Sequence, residues 1–510
     1  MSSGTATAAL SLMVLGALSK VLGFLRDQVI AAMFGASAQT DAYLVGLTVP
    51  TVGIAILSSG VSTTFVPLYS ERKGDLAGRC DFWLGVLWLS SILLFSIAGL
   101  GAVFARQVTG ALAPGLDSTT FRLATICSAI VFPGVAFTGL TALAKSALNC
   151  HGQFAVPALA PVVQNCVIIT FSLVAGRRLG VVALALGQAL GMVVGFLIQL
   201  PWLRKHGFCF GWPRNWRIAC HGAMEVYRLA LPLFASSLVG QVYTLVDRNL
   251  ASHLVEGSIA ALSFADKLRQ LPLGLFVTPL TTVLYPGFAA RVSKGDTTGL
   301  GKQLAAGVRL ILMIMLPAAA GVAVLSRPIV RLVFERGAFD ASDTLNTARA
   351  LVAYSPGMLA MAVGSVLTFG MYSLKVTLWP MVAGAVGAGL NILLDLLLVA
   401  PMGHVGLALA NSCGSVLSMV LLGLMIHRVV GRDTPWTKEL FVALGKIVGA
   451  TAGMCFVALA LARILGSGRA ILTMLLIGVS AATYFLLLLA LGSSDVHMLL
   501  GLVRHRLGKY

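Results

Sequence analysis

The sequence predicts an all-α polytopic membrane protein of about 14 transmembrane helices, set in two parallel six-helix lobes with two additional C-terminal helices. Three observations predict it. Of the 510 residues, 58% are hydrophobic and only 11% are charged, against about 25% charged in soluble domains, so a water-soluble fold could not hide the apolar surface. The apolar residues come in blocks of about 20, the length a helix needs to cross roughly 30 Å of hydrocarbon while satisfying its own backbone. Finally, two consecutive blocks recur later in the chain without a gap.

The blocks begin near residues 8, 41, 82, 122, 155, 179, 228, 258, 303, 347, 379, 404, 440 and 471. No cleavable signal peptide is expected, because the first charged residue is Lys20 and a signal needs a basic stretch ahead of its apolar core. Loops after even-numbered spans hold Arg72, Lys73 and Arg79, then Arg204, Lys205, Arg214 and Arg217, then Arg291, Lys294 and Lys302, then Arg428, Arg432 and Lys438; Arg504, Arg506 and Lys509 follow in the tail. Loops after odd-numbered spans are poorer in cations, with Arg106, Arg177, Arg178, Arg327, Arg331, Arg336, Arg463 and Arg469. Cytoplasmic loops retain Lys and Arg, so the bias places both termini in the cytoplasm of a bacterial inner-membrane protein.

The repeat aligns spans five and six with spans eleven and twelve. Pro157 matches Pro380 at an offset of 223, and Gly180, Leu184, Ala185, Leu186 and Gly191 match Gly403, Leu407, Ala408, Leu409 and Gly414 at the same offset. Less tightly, Pro67 and Lys73-Gly74-Asp75 correspond to Pro286 and Lys294-Gly295-Asp296. An even number of spans separates the partners, so the repeats are parallel, as in transporters. The expected organisation is an N-terminal lobe over 1–205, a cytoplasmic linker over 206–221, a C-terminal lobe over 222–432, and two added spans with a basic tail over 433–510.

A net charge of +18 does not imply nucleic acid, because the cations sit beside spans. The eight cysteines, Cys80, Cys127, Cys150, Cys166, Cys209, Cys220, Cys413 and Cys455, form no C-x-x-C pair and are expected to be small packing residues. Neither H-E-x-x-H nor a phosphate-binding G-x-x-x-x-G-K-[ST] occurs, which argues against a metallohydrolase and a built-in ATPase.

A charge near the bilayer centre costs about 2.5–3.5 kcal/mol on insertion scales, so each needs a partner, water or a function. Lys20, Arg26 and Asp27 lie in span one, Asp41 opens span two, Asp247 and Arg248 lie in span seven, and Asp266, Lys267 and Arg269 in span eight. Lys20 and Asp27, seven apart, share a helix face. The set suits a hydrated cationic cavity for phosphate or pyrophosphate, with Lys20, Arg26, Asp41, Lys267 and Arg269 as binding residues. The plainer alternative is that Lys20, Arg26 and Arg269 snorkel while Asp27 and Asp266 neutralise neighbours. A second set, Asp247, Asn391, Asp395 and Asn411, offers the oxygens that Na⁺ or a proton takes, or else an interhelical polar cluster that glues its lobe.

Several stretches then carry a family resemblance: Ser19-Lys-Val-Leu-Gly-Phe-Leu-Arg26-Asp27, Phe34-Gly-Ala, Thr40-Asp41-Ala42 and Phe65-Val-Pro67. Further on come Leu148-Asn149 with Pro157, Ala265-Asp266-Lys267-Leu268 through Pro272, and Ala350-Leu-Val-Ala-Tyr-Ser355. The chain resembles the MurJ (MviN) lipid II flippases of the multidrug/oligosaccharidyl-lipid/polysaccharide exporter superfamily. The resemblance implies a non-enzymatic flippase for an undecaprenyl-pyrophosphate-linked glycan, working among membrane lipids and beside the cell-wall synthesis machinery, with no cofactor beyond Na⁺ or H⁺ coupling. It also implies that Lys20 and Arg26 stand where the family keeps cavity arginines, Asp41 where it keeps an aspartate and Lys267 where it keeps an arginine. Span two departs from the family pattern: Pro50 to Gly60 holds no charge. Two arginines have also become lysines, which hold phosphate as point charges rather than forks. Alternative cargoes are another polyprenyl-linked oligosaccharide, such as an exopolysaccharide or teichoic-type unit, and drugs exchanged for cations; the last would call for an acidic N-terminal cavity.

Topology is directly testable. A single cysteine placed at Gly211, in the linker, should escape an impermeant thiol reagent applied to intact cells, and ready labelling would reverse the assignment.

Overall fold

Hydrocarbon leaves a backbone no hydrogen-bonding partner but itself, and every regular element among the described residues is a helix. The computed structural model describes residues 3–72, 76–430, 438–465 and 470–492. Lys73, Gly74, Asp75, Arg432, Arg469, Arg504, Arg506 and Lys509, used above for topology and repeat, lie outside the described residues, as do the side chains of 53–59. In chain order the helices are α1 (Ser3–Phe34), α2 (Ala38–Glu71), α3 (Leu76–Val103), α4 (Ala105–Leu112), α5 (Ser118–Cys150), α6 (Ala155–Leu179), α7 (Val181–Leu197), α8 (Leu200–Lys205) and α9 (Trp216–Ala251). There follow α10 (Ser258–Pro272), a π-turn over Leu273–Val277, α11 (Thr278–Ser293), α12 (Thr297–Val324), α13 (Ser326–Phe334), α14 (Ala341–Ser373), α15 (Leu378–Met402), α16 (His404–Val430), α17 (Lys438–Leu465) and α18 (Ala470–Ala490). Among the described residues, 11 helical stretches are long and apolar enough to cross a membrane, with α7–α8 and α10–α11 each counted as one.

The chain divides into two compact units. The first comprises Met1–Ala260 with Arg336–Phe339. Within it α5 packs on α2, α3 and α7, α6 packs on α1 and α7, and α9 lies along α2 and α3. One end of this unit is filled by aromatic rings: Phe65 stacks on Tyr69 and Phe82 at 5.2 and 5.8 Å, Trp83 meets Phe208 edge-on at 4.9 Å, and Arg79 lies over the Tyr69 ring at 4.5 Å. His151, just past α5, is held below the usual imidazole range by burial, with the charges of Arg79 and His206 adding to the effect.

The second unit comprises Ala261–Glu335 and Asp340–Tyr510. Here α14 packs on α11, α12 and α16, α15 packs on α16, and α17 and α18 pack on each other. α17 also lies against α12, where the Tyr484 hydroxyl of α18 donates to the Met313 carbonyl at 2.6 Å. α15 and α16 approach at Gly387 and Gly414: a methyl added to either would stand 2.5–2.6 Å from the other's carbonyl oxygen. Small residues at crossings of this kind let helices pack without a hydrophobic driving force.

The element lengths reproduce the sequence repeat. α5 and α14 both run 33 residues, beginning at 118 and 341, and α6 and α15 both run 25 residues, beginning at 155 and 378; each pair is 223 apart. α6 and α15 end in Gly180 and Gly403, both at φ 58°, a left-handed region that favours glycine. α3 and α12 both run 28 residues at an offset of 221, from 76 to 297. Asp117 and Asp340, again 223 apart, cap α5 and α14 by accepting backbone N–H groups two and three residues on, at 2.8–3.2 Å. The hydroxyl and N–H of Thr120, with the N–H of Thr119, hold the Asp117 carboxyl below its usual range. Helix pairings recur too: α3 with α5 and α12 with α14, α5 with α7 and α14 with α16, α6 with α7 and α15 with α16.

Two expectations change. The short amphipathic helices α4 and α13 were not visible among the apolar blocks; they bury Leu112 and Phe334 while carrying Arg106, Arg327 and Arg331, and are too short to span. The cysteines are not all lone packing residues: Cys80 and Cys209 form a disulfide with Cα atoms 5.7 Å apart. Their separation of 129 residues places them beyond any spacing rule.

Candidate functional site

In the first unit, membrane-length α1 carries Arg26, whose guanidinium is fixed from two sides. Its Nε and Nη2 donate to Asp27 Oδ1 at 3.1 and 2.8 Å, and its Nη1 donates to Asn165 Oδ1 of α6 at 3.1 Å. Asn165 in turn donates to the Ser19 carbonyl of α1 at 3.3 Å, so one amide holds both the arginine and its helix. Asp27 thus pairs with its sequence neighbour Arg26, and Lys20 is exposed on α1. A guanidinium has five N–H donors; with three committed, two of Arg26 remain for a ligand, and its side chain is 22% exposed.

Asp41, 4% exposed, does something the sequence did not suggest. Its two carboxylate oxygens accept the N–H groups of Gly257 and Ala260 at 2.7 and 2.6 Å, around the first turn of α10. The carboxylate thus satisfies orphan donors of a helix start, where negative charge is favoured. Asp247 lies half-buried on α9.

In the second unit Arg269 of α10 is only 8% exposed, which excludes snorkelling. Its Nε donates to Asp266 Oδ1 at 3.0 Å, its Nη2 donates to the same oxygen, and its Nη1 donates to Asn411 Oδ1 of α16 at 2.6 Å. The guanidinium also lies 4.3 Å from the centre of the Tyr354 ring of α14, a cation–π contact. Lys267, two residues earlier, is half-buried. Asn391 and Asp395, one turn apart on α15, are 4% and 0% exposed. Of the four oxygen-bearing residues grouped from sequence, Asp247 belongs to the first unit and the other three to the second, and Asn411 gives its oxygen to Arg269. No group of three or more His, Cys, Asp and Glu placed to hold a metal occurs among the described residues.

Sequence reasoning missed Asn165 and Tyr354 as arginine partners. A lone amide in an otherwise apolar span was the available signal for Asn165; a buried tyrosine gave none, because aromatic rings fill cores everywhere.

The 11 apolar helical stretches of membrane length among the described residues define a polytopic membrane protein. The chain belongs to the lipid II flippase MurJ family, whose model matches residues 30–480. It is 33% identical to a probable lipid II flippase MurJ of Vibrio cholerae, covering 93% of this chain and 94% of that protein. It is 30% identical to the lipid II flippase MurJ of Burkholderia cenocepacia, over 84% and 85% of the two chains. Among solved structures it matches a lipid II flippase MurJ in an inward closed conformation, with TM-score 0.81 and 25% identity over 96% and 99% of the chains. An inward-facing multidrug resistance transporter of the MATE family, 15% identical with TM-score 0.68 over 83% and 98%, shares the fold. The chain is accordingly a transporter of the inner membrane, not an enzyme.

The Arg269 contacts make a stability prediction. Breaking a fully buried ion pair costs about 3–5 kcal/mol, and the 28% exposure of the Asp266 side chain reduces this to about 2 kcal/mol. Arg269→Ala should therefore lower the melting temperature of the purified protein more than Lys267→Ala does, measured by thermal unfolding in detergent.

Proposed function

We infer that this chain is a lipid II flippase, turning the undecaprenyl-pyrophosphate-linked peptidoglycan precursor from the inner to the outer leaflet. Arg26 is the observation that carries this reading: a guanidinium on a membrane-length helix, oriented by Asp27 and Asn165, with two donors uncommitted. Paired donors at fixed geometry suit a pyrophosphate, and a partner on either side relieves the penalty of holding the charge at depth. Lys20 adds a point charge on the same helix as Arg26, and Lys267 is a candidate phosphate contact within the second unit. Asp41 and Arg269 act by positioning, the first by fixing the start of α10 and the second by tying α10 to α16.

In this reading α1, α2 and α9, with 32, 34 and 36 residues, also cross the bilayer. Added to the 11 apolar stretches, they bring the total to 14, arranged as two parallel six-helix lobes with α17 and α18 appended and both termini cytoplasmic. Alternating access carries the headgroup through while the polyprenyl tail stays in lipid.

The drive is proposed to include a cation. Carboxylate and amide oxygens are the donor set that a hard monovalent ion takes, and Asp395 and Asn391 present them from one buried face of α15. Na⁺ or a proton is therefore held by Asp395 with Asn391 in the second unit, Asp247 of the first unit is a separate candidate carboxylate, and Asn411 serves as the acceptor for Arg269.

Two tests follow. Arg26→Ala and Lys267→Ala should each abolish rescue of a flippase-depleted strain at normal protein level; full rescue by both would reduce these side chains to solvated cations. Asp395→Asn and Asp247→Asn should flatten the dependence of rescue on sodium or pH, and an unchanged dependence in both would leave a purely structural polar cluster.

A further inference from the structure

We propose that Cys80 and Cys209 form a reversible thiol–disulfide latch that fastens the α8–α9 connector to α3 and so slows transport when closed. The connector lies along α3 over most of its length. Trp83 Nε1 donates to the Cys209 carbonyl at 3.0 Å, and Trp88 Nε1 to the Gly211 carbonyl at 2.8 Å. Asp81, 5% exposed, accepts the N–H groups of Arg214 and Asn215 at 2.7 and 3.1 Å. Trp88 stacks on Trp212 at 4.7 Å, and Trp83 meets Phe208 at 4.9 Å. Asn215 is the N-cap of α9, accepting from the N–H groups of Arg217 and Ile218 at 3.0 and 3.4 Å, so whatever holds the connector also holds the start of α9.

The bond is set among contacts that do not need it. Hydrogen bonds to Cys209's own carbonyl and to residues five and six positions on seat the connector with or without the disulfide. What the bond adds is permanence: hydrogen bonds and ring stacking can open and re-form, whereas the covalent link cannot open without a reductant. Both cysteines are half-buried, within reach of small thiols. The inference rests on the cytoplasmic placement of the connector proposed above. In that compartment disulfides are transient and regulatory rather than structural.

The chemistry balances with a disulfide-class oxidant such as glutathione disulfide. The thiolate of one cysteine, its proton lost to solvent, attacks a sulfur of the oxidant and expels one glutathione thiolate. The second cysteine, as thiolate, then displaces the other glutathione from the mixed disulfide. Two cysteine thiols are oxidised, one glutathione disulfide is reduced to two glutathione thiols, and the two protons released are taken up by them.

The test uses the full-length protein in lipid vesicles, equilibrated at different ratios of glutathione to glutathione disulfide and trapped by alkylation. Peptide mapping should find Cys80 linked to Cys209 at oxidising ratios and both thiols alkylated at reducing ratios. Lipid II flipping by the oxidised protein should be slower by about threefold or more, as expected where a conformational step limits turnover. The double variant Cys80→Ser/Cys209→Ser should flip at the reduced wild-type rate under both conditions. No linked peptide at any ratio, a bond that persists under full reduction in the native state, or equal flipping by the oxidised and reduced proteins would each overturn the latch. Because redox state is read by mapping, failure of the latch is distinguishable from failure of the flippase reading, which would appear as no flipping in any sample.

Discussion

An arginine placed within a membrane-length helix must be matched, and the two best-defined instances in this protein are matched in the same way. Arg26 leans on a carboxylate of its own helix, Asp27, and on the amide oxygen of Asn165 from another. Arg269 leans on Asp266 of its own helix and on the amide oxygen of Asn411 from another. The carboxylate supplies charge balance and the amide supplies direction, so the guanidinium is both affordable in a low-dielectric setting and fixed in orientation. The difference lies in the fourth contact: Arg269 is covered by Tyr354 and nearly closed off, whereas Arg26 stays partly open.

Most of the fold was legible because hydrocarbon imposes a ruler on the sequence. Apolar blocks beginning near 155, 258 and 404 coincide with the observed starts of α6, α10 and α16, where a proline or glycine boundary is sharp. The repeat was legible from a few shared prolines, glycines and leucines, and the equal lengths of α5 and α14 extend it to elements with little identity. The helices α4, α8 and α13 were not legible, since their 8, 6 and 9 residues carry no block of spanning length.

The candidate site was legible by residue and not by partnership. Depth in an apolar helix marks Lys20, Arg26, Asp41 and Arg269 as unusual, but helical periodicity reports only neighbours on one helix. It therefore put Lys20 and Asp27 on one face and named Asp41 only as a binding residue. The structure gives Asp27 to Arg26 and Asp41 to two backbone amides more than two hundred residues away. Asn411 illustrates the same limit: an amide oxygen read as an ion ligand is spent on an arginine from a different helix.

The offset between equivalent elements is 221 across α3 and α12 and 223 from the starts of α5 and α14 onward. Between those two pairs of elements two residues have thus been gained or lost since the halves diverged, and they fall in the stretch that contains the short helices and their connectors. None fall inside the paired helices of 33 and 25 residues. A bilayer has one thickness, so it tolerates drift in letters far more readily than drift in length. In this chain the memory of duplication is kept as a measurement, long after most of the spelling has changed.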